Sequence, residues 1–422
     1  MGISFKINSK VNKNGKNGNA YSFKGLIVFA LLVASVIIEI KSYGSGIYLD
    51  EAIGILSAAF LITSAQKIER RDFITVLILF VVVIIGIISN LISELNNSWF
   101  SIGIDIVSST KVLLSYFAVK YFLSTEEKQR VIDMLLPLAR LFIILAFIFS
   151  LINLVTDIGM AGDVRYGVRS FRFIFKFNFQ YVAVYMLFFG VIVCNTKMSE
   201  RKRKTYYYMA IISLVLATKA PAIIFSIVFL FLYYYFKKYD RISIPVIIVG
   251  VLAIIAVGWY QIDAYLLNES APRHLFTKYA IRTANDYFPL GSGFSTFGSD
   301  QAAKIYSPLY YLYGFNTRWG MTPDDSAFLR DNFWQMAVGQ FGWFGGLAYM
   351  AVFVRAFLTM KSSKLESSRR AFLYAAYLQY MIHAVGSAIL SSSAGMIGFM
   401  AIALFTLDTE KLTQERRLRV RI

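Results

Sequence analysis

Apolar residues run through the chain in long blocks, separated by short polar breaks that are mostly basic. The blocks fall at 22–40, 47–65, 72–93, 99–122, 133–156, 177–195, 205–218, 220–236, 242–260, 332–359, 370–390 and 393–407. A helix needs roughly 20 apolar residues to cross the hydrocarbon core of a bilayer. The pattern therefore predicts about twelve membrane-spanning helices, the seventh and twelfth of them short. Only Thr218, Lys219, Ala220 and Pro221 separate the seventh block from the eighth. One broken helix and two half-helices both fit that spacing. The expected fold class is all-α, a polytopic integral membrane protein with one large extracytoplasmic loop.

Composition narrows the class further. Of 422 residues, 57% are hydrophobic and 16% charged, with a mean hydropathy of +0.57. Soluble domains carry about 25% charge. This balance excludes a disordered chain, a disulfide-rich secreted domain and a soluble enzyme. The single cysteine, Cys194, lies in an apolar block, so neither a disulfide framework nor a Cys-based metal site is expected.

The net charge of +18 reads as topology rather than nucleic-acid binding, because the basic residues sit at the ends of apolar blocks. Segments 1–24, 66–72, 123–132, 196–204, 237–241, 360–370 and 408–422 hold 27 of the 43 Lys and Arg. Cytoplasmic connections collect such residues. Both termini are thus expected in the cytoplasm as basic tails, 1–24 and 408–422. Nine helices fall within 25–260 and three within 332–407, with 261–331 as the large outer loop. Residues 1–24 read as a tail rather than a cleaved signal, since no small-residue cleavage site follows the first block.

Two outer segments depart from this charge rule. In 157–176, Arg165, Arg169, Arg172 and Lys176 step by 4, 3 and 4, which would stack them on one helix face. The same stretch alternates Phe171, Phe173, Phe175, Phe177 and Phe179 with Arg172, Ile174, Lys176 and Asn178, a period of two. Either geometry sets cations beside aromatic surface at the outer membrane boundary, suited to an anionic head group. Segment 261–331 is about 70 residues of near-balanced charge, and connections that long usually carry function.

Single residues add candidates. Lys219 lies at a break where Pro221 suits the first turn of a helix with its positive end outward; membrane-interface snorkelling accounts for a lysine there equally well. Asp331, beside Asn332, could be a general base or a helix cap. His383 lies inside the eleventh block, and ionisable groups at such positions are functional candidates by default. Asp105 and Lys111 are six residues apart, so they share no helix face and are not expected to pair with each other. The glycines of 289–298 lack the nucleotide-binding spacing and suit a tight turn or a close backbone approach.

The order of these features carries a resemblance. Arg172 and Asn178 precede one apolar block, and Lys219 marks a helix break. Arg282, Pro289, Gly291 and Gly293 then lead to the pair Asp331–Asn332, followed about ten residues later by Gly342 and Gly345. Over roughly 165–350 this pattern resembles the O-antigen polymerase and ligase superfamily, bacterial membrane enzymes that assemble surface polysaccharides. The ligases carry a histidine where Asp331 stands, which favours a polymerase.

The resemblance implies a metal-independent glycosyltransferase without cofactor, acting at the outer face of the bacterial cytoplasmic membrane in capsule, exopolysaccharide or O-antigen synthesis. It would move a growing glycan from undecaprenyl pyrophosphate to the next lipid-linked repeat unit. Arg172, Lys219 and Arg282 would stabilise the leaving pyrophosphate, with Asp331 as base. Arg165, Arg169, Lys176, Asn178, Gly291, Gly293, Arg318, Asp325, Asn332 and His383 would bind substrate. Expected partners are membrane lipid, a flippase and a chain-length regulator, and no nucleic acid. The alternatives are a ligase-like glycan transferase and a transporter or flippase of the lipid-linked oligosaccharide. A carrier of two matched halves would need a long central loop, and the segment after the sixth block has about nine residues.

Overall fold

The computed structural model describes residues 22–41, 48–165, 167–361 and 365–407. The basic tails expected at 1–24 and 408–422 lie outside these residues, apart from 22–24. Every apolar block forms a helix. In chain order these are α1 (Phe23–Lys41), α2 (Leu49–Thr63), α3 (Arg70–Ser93), α4 (Trp99–Phe122), α5 (Thr125–Val155), α6 (Asn178–Cys194), α7 (Glu200–Leu216), α8 (Ala220–Lys238) and α9 (Ile244–Ile262). After the segment that holds α10 (Pro272–Asp286), α11 (Asp300–Ile305) and α12 (Pro308–Leu312) come α13 (Phe333–Lys361), α14 (Ser367–His383) and α15 (Ser393–Phe405). Six of them, α1, α3, α4, α5, α8 and α13, are long and apolar enough to cross a membrane. The protein is a helical membrane protein. α5 begins well before its apolar block because Ser124 and Glu127 form a reciprocal capping box, each side chain accepting the other's backbone N–H.

The seventh and eighth blocks, on either side of Lys219, are separate antiparallel helices. The chain reverses at Thr218, whose φ is 49°, and Tyr207 of α7 packs edge-on against Phe229 and Tyr233 of α8.

Segment 157–176 is not a helix. Ala161–Arg165 (β1) and Val168–Phe171 (β2) form an antiparallel hairpin. Alternation continues past the strand, so Phe171, Phe173 and Phe175 are buried while Arg172 and Lys176 face away from that core. Phe142 of α5 receives Phe173 and Phe175 at ring distances of 5.6 and 6.4 Å. The period of two prevails because three phenylalanines bury more apolar surface than one cationic helix face could.

The segment expected as a loop at 261–331 is folded. Phe276, Phe297, Tyr310 and Phe315 centre a second apolar core distinct from that of the helix bundle. Its glycine-rich stretch is buried from Gly291 to Ser299 and packs between α3 and α13.

There α13 departs from the single span expected at 332–359. Gly342 has φ 63° and ψ −166°, and residues 333–341 fold back on 343–361. Phe333 lies 5.6 Å from Tyr349 and Trp334 lies 5.5 Å from Phe353, ring to ring. The break frees carbonyls that an apolar surrounding leaves without water. Ser292 donates its N–H to Gly339 O at 3.0 Å and Gly293 to Gln340 O at 2.8 Å. Asn90 of α3 brackets the same turn, accepting from Phe294 N at 2.7 Å and donating to Phe294 O at 2.8 Å.

Buried charges tie the bundle together. Asp105 of α4 accepts from Ser295 N at 2.5 Å and from Gln340 Nε2 at 2.9 Å. Lys111, one helix face away, pairs with Asp50 and with Glu51 at 2.8 Å across to α2. The two residues are thus not partners, as expected from their spacing.

An added Cβ at Gly291 (φ 84°) would overlap the Gly342 nitrogen and stand 2.7 Å from Gln340 O. Gly291→Ala should therefore cost about 2 kcal/mol or more through overpacking and strain. In detergent its unfolding midpoint should fall by several degrees. Gly250→Ala, with nothing within 4 Å of the added carbon, should leave the midpoint level or slightly raised.

Candidate functional site

Five elements end at one place. Lys219 caps the start of α8 after the Thr218 reversal. Arg273 stands in the first turn of α10, behind Pro272. Asp331 and Asn332 lead into the first leg of α13, His383 closes α14, and Arg165 ends β1. Lys219 feels the charges of Arg165, Arg273, Asp163 and Asp331 together, and His383 those of Lys219 and Arg273. The Arg273 side chain lies against Gly386, where an added Cβ would stand 3.0 Å from Nε.

Asn178 makes this convergence rigid. Its Nδ2 donates to Ser170 Oγ at 2.7 Å and Phe171 O at 3.0 Å, and Ser170 Oγ donates to Ala217 O at 2.8 Å. The hairpin is thereby bolted to the α7–α8 reversal that carries Lys219.

The electrostatics are those of a half-buried anion site. Three helix starts, of α8, α10 and α13, turn their positive dipole ends toward it. Burial pushes the Lys219 ammonium down to about 8, aided by Arg165 and Arg273 and opposed by Asp163 and Asp331. Burial holds the Asp331 carboxyl above its usual range, against the pull of Arg273 and Lys219. Asn332, fully buried, has no hydrogen-bond partner for either side-chain atom among the described residues, and neither has Nδ1 of His383 nor Oε1 of Gln335. Gln335 is held through its other end, donating to Thr277 at 3.2 Å and Val385 O at 3.4 Å.

Lys219, Asp331, Asn332, His383 and Arg165 are the sequence candidates brought together here. Others go elsewhere. Arg282 is nine residues from Arg273, about 14 Å along α10; it is exposed, pairs with Asp286 at 3.3 Å and lies over the Tyr313 ring. Arg172 donates to Lys176 O at 2.6 Å within its own turn, and Lys176 stands over Phe177. Arg169 donates to Asn153 O at 3.0 Å and Leu154 O at 3.3 Å, closing the end of α5. Gly291 and Gly293 are packing glycines of the α13 break, enclosed by protein on all sides. Arg318 and Asp325 are exposed in the stretch before α13. Among the described residues no α13 N–H donates to the Asp331 carboxylate, and its neighbours in charge are Arg273 and Lys219.

Arg273 was visible in the sequence only as one cation among several in a long segment. The available signal was its position directly after a helix-opening proline, where the dipole disfavours a cation unless an anion compensates.

Comparison with protein-family models, with curated proteins and with solved structures finds no match to this chain.

Lys219 is cationic below about pH 8 and neutral above it. Binding of inorganic pyrophosphate by the purified protein should therefore hold at neutral pH and drop as pH rises through about 8. In Lys219→Arg, whose guanidinium keeps its charge, that step should vanish from the binding curve.

Proposed function

We propose that the protein is a polysaccharide polymerase, a glycosyltransferase that moves a growing glycan from a polyprenyl-pyrophosphate carrier onto the next lipid-linked repeat unit. The observation that carries the reading is the meeting of Lys219 and Arg273 with Asp331 beside unpartnered polar groups of Asn332, Gln335 and His383. The reaction breaks the bond between the anomeric carbon and the pyrophosphate oxygen and forms one from that carbon to an acceptor hydroxyl. Negative charge grows on the departing pyrophosphate, where Lys219, Arg273 and three helix dipoles stabilise it.

Asp331 takes the hydroxyl proton. A carboxyl held above its usual range is a stronger base for that transfer than an exposed one. The amide of Asn332 and the free ends of Gln335 and His383 suit sugar hydroxyls, which both donate and accept. Attack from the face opposite the pyrophosphate inverts the anomeric carbon.

In this reading the twelve helices are twelve crossings or part-crossings, with both termini cytoplasmic and the site outside. The resemblance in motif order supports it, as does the clustering of Lys and Arg at alternate connections. Arg273 takes the role that motif order alone would give to Arg282.

The test is the glycan profile, on carrier lipid and at the surface, of cells whose sole copy is a variant. Arg273→Ala should leave single repeat units, and Asp331→Asn should cut polymer by about 10²-fold or more. Arg282→Ala should keep long polymer. Normal polymer length in Arg273→Ala, with the protein present in the membrane, overturns the assignment. Long chains stranded on the carrier would point to a ligase instead.

A further inference from the structure

A cavity of about 1590 Å³ lies between α8, α9, α13 and α14. Its length is apolar, with Phe231 from α8, Val251 from α9, Val354 from α13 and Leu378 from α14 on its walls. Several of these side chains are exposed along it, Phe231 by 50% and Val354 by 58%. In a chain of this class such a surface meets lipid rather than water.

One end of the cavity is charged. Asp240, Arg241, Lys361 and Arg370 line it, three cations against one carboxylate. That carboxylate is already used. Arg370 donates to Asp240 O at 2.9 Å and to its Oδ1 at 3.4 Å, and its guanidinium lies 4.3 Å over the Phe236 ring. Arg370 Nε is buried without a partner, and no carboxylate among the described residues pairs with Arg241 or Lys361.

This end is remote from Lys219 and His383. α8 and α14 run antiparallel between the two, with Lys219 and His383 at one end and Asp240 and Arg370 at the other. Arg370 and His383 are thirteen positions apart on α14, about 20 Å along its axis. A lipid whose phosphate sits against Lys219 and Arg273 therefore cannot also place it here. At its opposite extremity the cavity closes on Trp334 and Met381, where Trp334 Nε1 donates to Met381 O at 3.3 Å.

The geometry points to a binding site for one anionic phospholipid of the surrounding bilayer, tails along the α9 side of the cavity and phosphate against Arg241, Lys361 and Arg370. Basic pockets between helices at the cytoplasmic face hold such head groups, and Arg241, Lys361 and Arg370, from two of the positive connections, line this one. The site is independent of the transfer chemistry at Lys219. It would seat α9 against the bundle through lipid, in place of the side-chain packing the other helices use.

Native mass spectrometry of the full chain, titrated in detergent with phosphatidylglycerol and separately with phosphatidylcholine, tests this. Wild-type protein should retain one phosphatidylglycerol that phosphatidylcholine does not match. Arg241→Gln with Lys361→Gln alters two exposed side chains and should weaken phosphatidylglycerol retention about tenfold or more. Gly250→Trp fills open space on the cavity wall and should reduce retention of either lipid. An unchanged unfolding midpoint, measured without lipid, shows that each variant is folded. Equal retention of the two lipids by wild type overturns the proposal, and so does undiminished phosphatidylglycerol binding by the double variant. A co-purifying polyprenyl phosphate in this cavity overturns it as well.

Discussion

An apolar surrounding supplies no hydrogen bonds, so each backbone group that leaves a helix must find a partner inside the protein. That constraint organises the molecule. The α13 break at Gly342 exists only because Ser292 and Gly293 supply N–H groups to the carbonyls it frees. Those residues hold their place because Asn90, Ser89 and Ser93 of α3 grip the same turn. The fold-back of 333–341 in turn carries Asp331 and Asn332 inward to Lys219, instead of leaving them at the tip of a straight span. The glycine-rich turn thus decides where the carboxylate stands.

Buried charge follows the same logic. Asp105 receives two hydrogen bonds, Lys111 meets two carboxylates, and Asp72 holds both Lys120 and the Tyr121 hydroxyl at 2.5 Å. Glu39 joins α1 to α6 and α15 through Gln180 at 2.8 Å and through Ser393. Each links separate elements of the bundle, and losing one partner of a buried ion pair costs about 3–5 kcal/mol. The cluster around Lys219 and Asp331 is different: the two feel each other's charge, yet no salt bridge closes between them among the described residues. That contrast separates a candidate site from a structural tie.

The helices were legible because apolar block length is a property of sequence alone, and all twelve blocks are helical. The reversal at Gly342 was not. Its signal is a glycine within a continuous apolar run, and the residues that make the break possible lie some 50 positions earlier, at 289–293. The hairpin at 161–171 offered two periods at once, and only the packing of Phe142 against Phe173 and Phe175 decides between them. Of the site, Lys219, Asp331 and His383 were legible as charges in apolar context. Arg273 was not separable from Arg282, since both are cations on one helix and tertiary placement alone brings the first to Lys219.

Two of the helices bordering the site, α7 and α14, have 17 residues each. That length covers about 26 Å, against the roughly 30 Å of hydrocarbon in an ordinary bilayer. A membrane meeting this face is in hydrophobic mismatch, and lipids relieve such mismatch by thinning locally. The head-group layer then dips toward Lys219 and His383. An anionic head group travelling at that level reaches the floor of the site by lateral diffusion. The fold brings the water–lipid boundary down to its buried charges.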